Sequence, residues 1–175
     1  MTAPAVLLQA RQIEARVAQV AREIDRHYDG EPFVMLVVLK GAMVFAADLM
    51  RQIRSPFELE FARSRSYGTG SVPEGPPRLV VPDPAGIADR HVLVVDDILD
   101  TGATYQAIKD WLLEHEALSV RGCFLLDKPH RRTSPSKPDF FGFEVPDVFV
   151  VGYGLDHAEM HRNLPYIACL PEGNP

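Results

Sequence analysis

The chain has 175 residues, 46% of them apolar and 24% charged, with a formal charge of −6. That is enough for one domain with a sizeable apolar core, and the composition is that of an ordinary globular protein. The acidic balance argues against a nucleic-acid partner, which would call for a basic surface, but it does not exclude an anionic small molecule, because a divalent cation and a few local donors can supply the positive field. No apolar run approaches the ~20 residues a membrane-spanning helix needs, and the N-terminus soon turns amphipathic and charged without an export signal. The expected location is therefore the cytoplasm, with no membrane partner. Cys123 and Cys169 are too few for a disulfide framework and have no metal-ligand spacing, so reduced, buried thiols are expected.

In chain order, Ile13, Val17, Val20 and Ile24 recur at helical spacing and predict an amphipathic helix over residues 5–27, ended by Asp29-Gly30. Phe33–Leu39 is a near-continuous apolar run, which fits a strand buried on both faces. Lys40-Gly41 interrupts it before a helix over 42–53. Phe57, Leu59 and Phe61 alternate with Glu58 and Glu60 and predict a strand with one polar face. Residues 66–78 are rich in Gly, Pro and Ser and read as a mobile loop. Short strands follow at Leu79–Val81 and Val92–Val95, then a helix from about Thr104 to His115 and a strand over Val120–Leu126. Lys128–Asp139 is a basic, proline-containing loop, and Phe149–Tyr153 and Tyr166–Leu170 read as the last strands. Strands alternating with helices predict an α/β fold around a mainly parallel sheet, whose ligands bind at the carboxyl ends of the strands.

At one such end the chain reads VLVVDDILDTGAT, residues 92–104. Adjacent carboxylates, Asp96 and Asp97, suit a vicinal diol whose two hydroxyls can each donate to an oxygen. The stretch Asp100, Thr101, Gly102, Ala103 and Thr104 opens a helix. Backbone N–H groups, two threonine hydroxyls and the helix dipole there suit a phosphate monoester, and the glycine admits close approach. A diol reader beside a phosphate cradle describes a ribose 5-phosphate site. Any single one of these residues could instead serve an acidic turn or a helix cap. Asp97-x-x-Asp100 could also suggest an aspartyl-phosphate enzyme, although Asp100 lies at the helix entry rather than on the strand end. Neither a P-loop nor a strand-following G-x-G-x-x-G is present.

VLVVDDILDTGAT resembles the phosphoribosyl-pyrophosphate motif of the type I phosphoribosyltransferases. VVLKGA at 37–42, Ser66-Tyr67-Gly68, and GFEVPDVFVVGYGLDHAEMHRNLPYI at 142–167 resemble the hypoxanthine-guanine branch of that family. The resemblance covers most of residues 33–170. It implies a central sheet flanked by helices, a small hood built from terminal segments, and an active-site lid. It further implies transfer of a phosphoribosyl group from 5-phosphoribosyl 1-pyrophosphate to hypoxanthine or guanine, giving the nucleoside monophosphate and pyrophosphate with Mg²⁺ as cofactor.

Residue by residue, the resemblance gives Asp96 and Asp97 the ribose hydroxyls, with an indirect role toward the metal. Asp100–Thr104 would hold the 5-phosphate, and Asp100 would also serve as the base or hydrogen-bond partner at purine N7. Lys40, Gly41 and Arg162 would bind pyrophosphate, with a cis Leu39–Lys40 peptide, and Ser66 and Tyr67 would belong to the lid. Lys128 would donate to the purine O6, a cationic donor that favours a 6-oxo over a 6-amino group. Phe149 would stack on the base, with Val150 offering main-chain hydrogen bonds. Asp156 would reach Mg²⁺ through water and lie near the guanine amino group. Lys128 also fits a solvated basic turn, and His157 and His161 read as solvated histidines rather than zinc ligands. The lid departs from the family pattern, with Val72-Pro73-Glu74-Gly75-Pro76-Pro77 in place of a Ser/Thr-rich run. Xanthine as the base, or a nucleotide-sensing regulator on the same fold, are the alternatives. Relatives are commonly dimers or tetramers, and the helix at 42–53 is the expected interface.

Overall fold

The computed structural model describes residues 5–65 and 78–170. In chain order these form β1 (Ala5–Leu8), α1 (Ala10–Tyr28), β2 (Phe33–Leu39), α2 (Met43–Met50), β3 (Phe57–Arg65), β4 (Arg78–Val80), β5 (His91–Leu99), α3 (Ala103–Glu114), β6 (Ser119–Asp127), β7 (Phe140–Glu144), β8 (Val150–Val151) and β9 (Ile167–Cys169). Single 3₁₀ turns stand at Pro84–Gly86 and Pro129–Arg131.

The main sheet has the order β4-β3-β2-β5-β6-β7, parallel throughout except for the β3–β4 pair. Side chains of a strand alternate between its faces, so the apolar run of β2 is divided between two cores. Phe33, Met35 and Val37 join Ile13, Val17, Ile24, Phe45 and Leu49 from α1 and α2. Val34, Leu36 and Val38 join Tyr105, Ile108 and Leu112 from α3. A second sheet, β1-β9-β8, forms the hood.

Three expectations need correction. Residues 5–8 are a strand: Val6 faces Ala168 and Leu8 pairs with Ile167, a tertiary partner that decides between strand and helix where a short apolar run cannot. The helix then begins at Ala10, with Gln9 and Gln12 in a reciprocal capping box, and ends on Asp29 at a positive φ of 47°. β5 does not stop at Val95 but runs to Leu99, because Ile98 and Leu99 stay in register with Leu126 and Asp127 of β6. Phe140–Glu144, unassigned from the sequence, adds a parallel edge strand beside β6. On β3 the expected polar face is present, with Glu58 exposed, and Leu59 and Phe61 on the other face are 38% and 49% exposed, so both faces of this strand meet solvent. Cys123 is buried as expected, whereas Cys169 is only half-buried.

Candidate active site

The carboxyl ends of β2 and β5 and the start of α3 surround a cavity of about 470 Å³, lined among others by Leu39, Gly41, Asp96, Asp97, Asp100, Thr101 and Thr104. Asp96 and Asp97 are half-buried within β5. Asp96 Oδ1 accepts a hydrogen bond from the Asp97 N–H at 2.9 Å. Burial nonetheless raises the Asp96 carboxyl well above the usual carboxylate range, and the neighbouring Asp97 charge raises it further. Two crowded carboxylates short of water are stabilised by hydroxyl donors or a cation. Their surroundings therefore fit a ribose diol with a divalent ion nearby.

Next in the chain, Gly102 caps α3 at φ +84°, and a Cβ there would overlap Ser134 Oγ. The Thr101 carbonyl accepts from the N–H groups of Thr133 and Ser134 at 3.0 and 3.2 Å. The cradle is thus fixed from behind, while the N-terminal turn of α3 opens toward the cavity. Behind it, Arg132 donates to the carbonyls of Asp100, Leu99 and Ser136 at 3.0, 3.1 and 2.9 Å, and pairs with buried Asp127.

The Leu39–Lys40 peptide is cis, as the resemblance implies. Gly41 lies directly on Asp97, where a Cβ would overlap Oδ2, and Gly154 (φ +100°) lies directly on the Gly41 carbonyl. Arg162 Nη1 donates to the Gly154 carbonyl at 2.8 Å. Asp97, the β2 loop and the hood are therefore in continuous contact. Arg162 Nη2 also reaches Asp156 Oδ1 at 2.7 Å and Glu159 Oε2 at 3.3 Å, and Lys40 Nζ reaches Glu159 Oε1 at 3.0 Å. Lys40 first, and Arg162 after it, hold the Glu159 carboxyl below its usual range. Both cations expected to meet pyrophosphate share this one exposed carboxylate.

Lys128 is buried, with Nζ donating to the Val148 carbonyl at 2.8 Å. Phe149 is 54% exposed, touched at its ring by His157 in an edge-on arrangement at 5.3 Å. It offers an open aromatic shelf, and Val150 behind it is buried and pairs with Cys169. The structure thus gathers Lys40, Gly41, Asp96, Asp97, Asp100–Thr104, Asp156 and Arg162 on one side and Lys128, Phe149 and Val150 on the other. Ser66 and Tyr67 lie outside the described residues. Among the described residues no three His, Cys, Asp or Glu side chains come together as a metal cage. Mg²⁺ characteristically takes one or two carboxylates plus substrate phosphates, so the acid pair and Asp156 suit an ion carried in by a pyrophosphate.

Sequence reasoning missed Arg131, Arg132, Asp127, Asp147 and Glu159. Several of their partners stand at separations no local pattern reports, as with Lys40 and Glu159, 119 residues apart. The crowding at Gly41 had no local signal either.

A mainly parallel sheet with an acid pair and a glycine-capped helix N-terminus at its carboxyl edge has the chemistry to hold a phosphosugar. The family model for the phosphoribosyl transferase domain matches residues 5–158, and the chain belongs to that family. It is 42% identical over 165 residues to hypoxanthine phosphoribosyltransferase of Haemophilus influenzae, covering 93% of this chain and 92% of the relative. It is 44% identical over 163 residues to hypoxanthine-guanine phosphoribosyltransferase of Aquifex aeolicus, with the same coverage of 93% and 92%. A solved hypoxanthine-guanine phosphoribosyltransferase from Bacillus anthracis superposes with a TM-score of 0.88 at 39% identity, over 95% of this chain and 98% of that one.

Proposed function

We propose that this chain is a purine-salvage enzyme that joins hypoxanthine or guanine to the ribose of 5-phosphoribosyl 1-pyrophosphate, yielding IMP or GMP and pyrophosphate. The observation that carries this reading is the place of Asp100. Its carboxylate lines the phosphosugar cavity and pairs with Arg131, which in turn reaches Asp147 beside Lys128; on this reading a purine N7 would lie at Asp100 while N9 faces the sugar. A carboxylate there takes or shares the N7 proton and so raises the nucleophilicity of N9. Asp96 and Asp97 orient the ribose, and the Asp100–Thr104 loop fixes the 5-phosphate. Gly41, Lys40 and Arg162 receive the pyrophosphate, an electrostatic task because charge separates as the bond breaks. Lys128 reads O6, Phe149 stacks on the ring, and Val150 offers main-chain bonds. Asp156 would hold Mg²⁺ through water; the ion, when bound, neutralises the departing pyrophosphate. Ser66 and Tyr67 would close the lid and keep water out.

Residues 1–175 are read as one catalytic domain, with a lid at about 66–78 and a base-binding and hood segment at about 128–170. A homodimer or homotetramer fits the apolar surface: Leu59 and Phe61 on β3, Val80 on β4 and Met43 on α2 are all exposed. Among the described residues no helix is long and apolar enough to cross a membrane, and the cytoplasm is the compartment proposed.

The deciding experiment is steady-state turnover of hypoxanthine, guanine, xanthine and adenine with the phosphoribosyl donor and Mg²⁺. Hypoxanthine or guanine should be used and adenine refused; no turnover of any 6-oxopurine sinks the proposal. Rapid use of xanthine alone would move the substrate to the third 6-oxopurine.

A further inference from the structure

Along the wall between the phosphosugar cavity and the base shelf, charges alternate in the order Asp100, Arg131, Asp147, Lys128. Arg131 Nε lies 2.9 Å from Asp100 Oδ1, and Arg131 Nη1 lies 3.2 Å from Asp147 Oδ1. Lys128 Nζ is 4.0 Å from the same Asp147 oxygen. Neither the motif nor the family resemblance gives Arg131 a task. We propose that Arg131 is a positioning residue for Asp100, its guanidinium holding the carboxylate so that the free oxygen faces purine N7. This inference rests on the reading of Asp100 given above.

Three observations point the same way. First, Asp100 Oδ1 is buried and forms no aligned hydrogen bond. The Arg131 contact is an ion pair by distance, so charge rather than a directed bond holds this oxygen. Without the cation, a buried carboxylate oxygen would have nothing to offset its desolvation and would rotate toward water. Second, Arg131 is itself anchored. Its N–H donates to the Lys128 carbonyl at 3.1 Å within the Pro129–Arg131 turn, and the far end of its guanidinium is held by Asp147. A planar fork can bridge two carboxylates in this way, whereas a lysine ammonium on a flexible stem is a single point charge. Third, Arg131 lines the cavity that Asp100 lines, so it acts from inside the site.

Its neighbour supplies the contrast. Arg132 is committed to the main chain of Leu99 and Asp100 and to Asp127. Consecutive arginines therefore hold the backbone and the side chain of one residue. Arg131 neither touches the base nor moves a proton in this scheme. It confines Asp100 to the geometry in which N7 is within reach, and geometric confinement of this kind is worth as much as about 10²-fold in rate.

The test combines Arg131→Ala and Arg131→Lys with an Asp100→Asn background, reading kcat and both KM values for hypoxanthine and the phosphoribosyl donor. With Asp100 intact, Arg131→Ala should lower kcat by about 10-fold or more while the donor KM stays within about twofold. Arg131→Lys should recover part of that loss. In the Asp100→Asn background, removing Arg131 should change kcat by less than about twofold, because the two residues act as one unit. An unchanged kcat in Arg131→Ala overturns the inference. Equal losses in both backgrounds also overturn it, since they mark a contribution to folding or to binding that does not pass through Asp100. Failure of the unmodified chain to use any 6-oxopurine would sink the functional reading and this inference with it. Normal turnover alongside an indifferent Arg131→Ala sinks this inference alone.

Discussion

On the donor side of the site, glycines bring the chain hard against its neighbours. Gly154 lies on the Gly41 carbonyl, Gly41 lies on Asp97, and Gly102 lies against Ser134, each with no room for a methyl group. On the base side, long charged side chains do the holding: Arg131 spans Asp100 and Asp147, Lys128 reaches Val148, and Phe149 stands half in solvent. The first construction fixes a shape to within the thickness of a side chain. The second fixes a pattern of charge and leaves the shape adjustable. On the function proposed, a constant phosphosugar would suit the first, and a choice among purines would suit the second.

The comparison can be broken at its hinge, Asp100, where the two halves meet. Asp100→Asn should lower kcat by about 10²–10⁴-fold with little effect on donor affinity, the range expected when a positioned acid or base is removed. An equal loss in donor binding, measured by titration, would make Asp100 a donor-side residue only. The next largest effect falls on the packed side. In Gly41→Ala the new methyl displaces the Asp97 carboxylate, a side-chain end that can rotate, so the fold should survive. Donor KM should nonetheless rise by about 10²-fold with the hypoxanthine KM nearly unchanged. Were the base KM to move instead, the two halves would not be separate.

Lys128→Ala should erase the preference for 6-oxo over 6-amino purines by about 10- to 100-fold, the worth of a charged hydrogen bond. An unchanged hypoxanthine-to-adenine ratio would remove Lys128 from base recognition. The smallest effect concerns stability. The folded state holds the Asp96 proton more tightly than the unfolded chain does, because burial and Asp97 raise that carboxyl. Stability is therefore fully present below the ordinary carboxylate range and falls as pH rises through the raised value. Asp96→Asn cannot ionise, so its melting temperature should exceed that of the unmodified chain by about 2–4 °C at neutral pH, with the gap closing in acid. A lower melting temperature at neutral pH would contradict the crowding of the acid pair.

These contrasts also explain what could be read from the sequence. β2, β5 and β6 are apolar on both faces because helices cover both faces, and such runs are visible locally. The acid pair and the phosphate cradle are contiguous in the chain, so their chemistry could be argued from spacing. β1 and β7 were not legible, since their strand character comes from partners 162 and 17 positions away, Ala168 against Val6 and Cys123 against Phe140. The basic run after Lys128 reads as a solvated turn until Asp100, Asp127 and Asp147 are placed around it. Charge networks assembled from distant segments leave no periodic trace. The pairing of Lys40 with Glu159 was hidden for the same reason.

The unequal burial of the two thiols gives this site a built-in place for a reporter. Cys123 is enclosed, and burial pushes its thiol well above the usual range, which leaves it inert. Cys169 is half-buried on β9 opposite Val150, one residue from the aromatic shelf. A thiol-reactive fluorophore should attach there first, and its emission would register arrival of a base on Phe149 without any engineered cysteine.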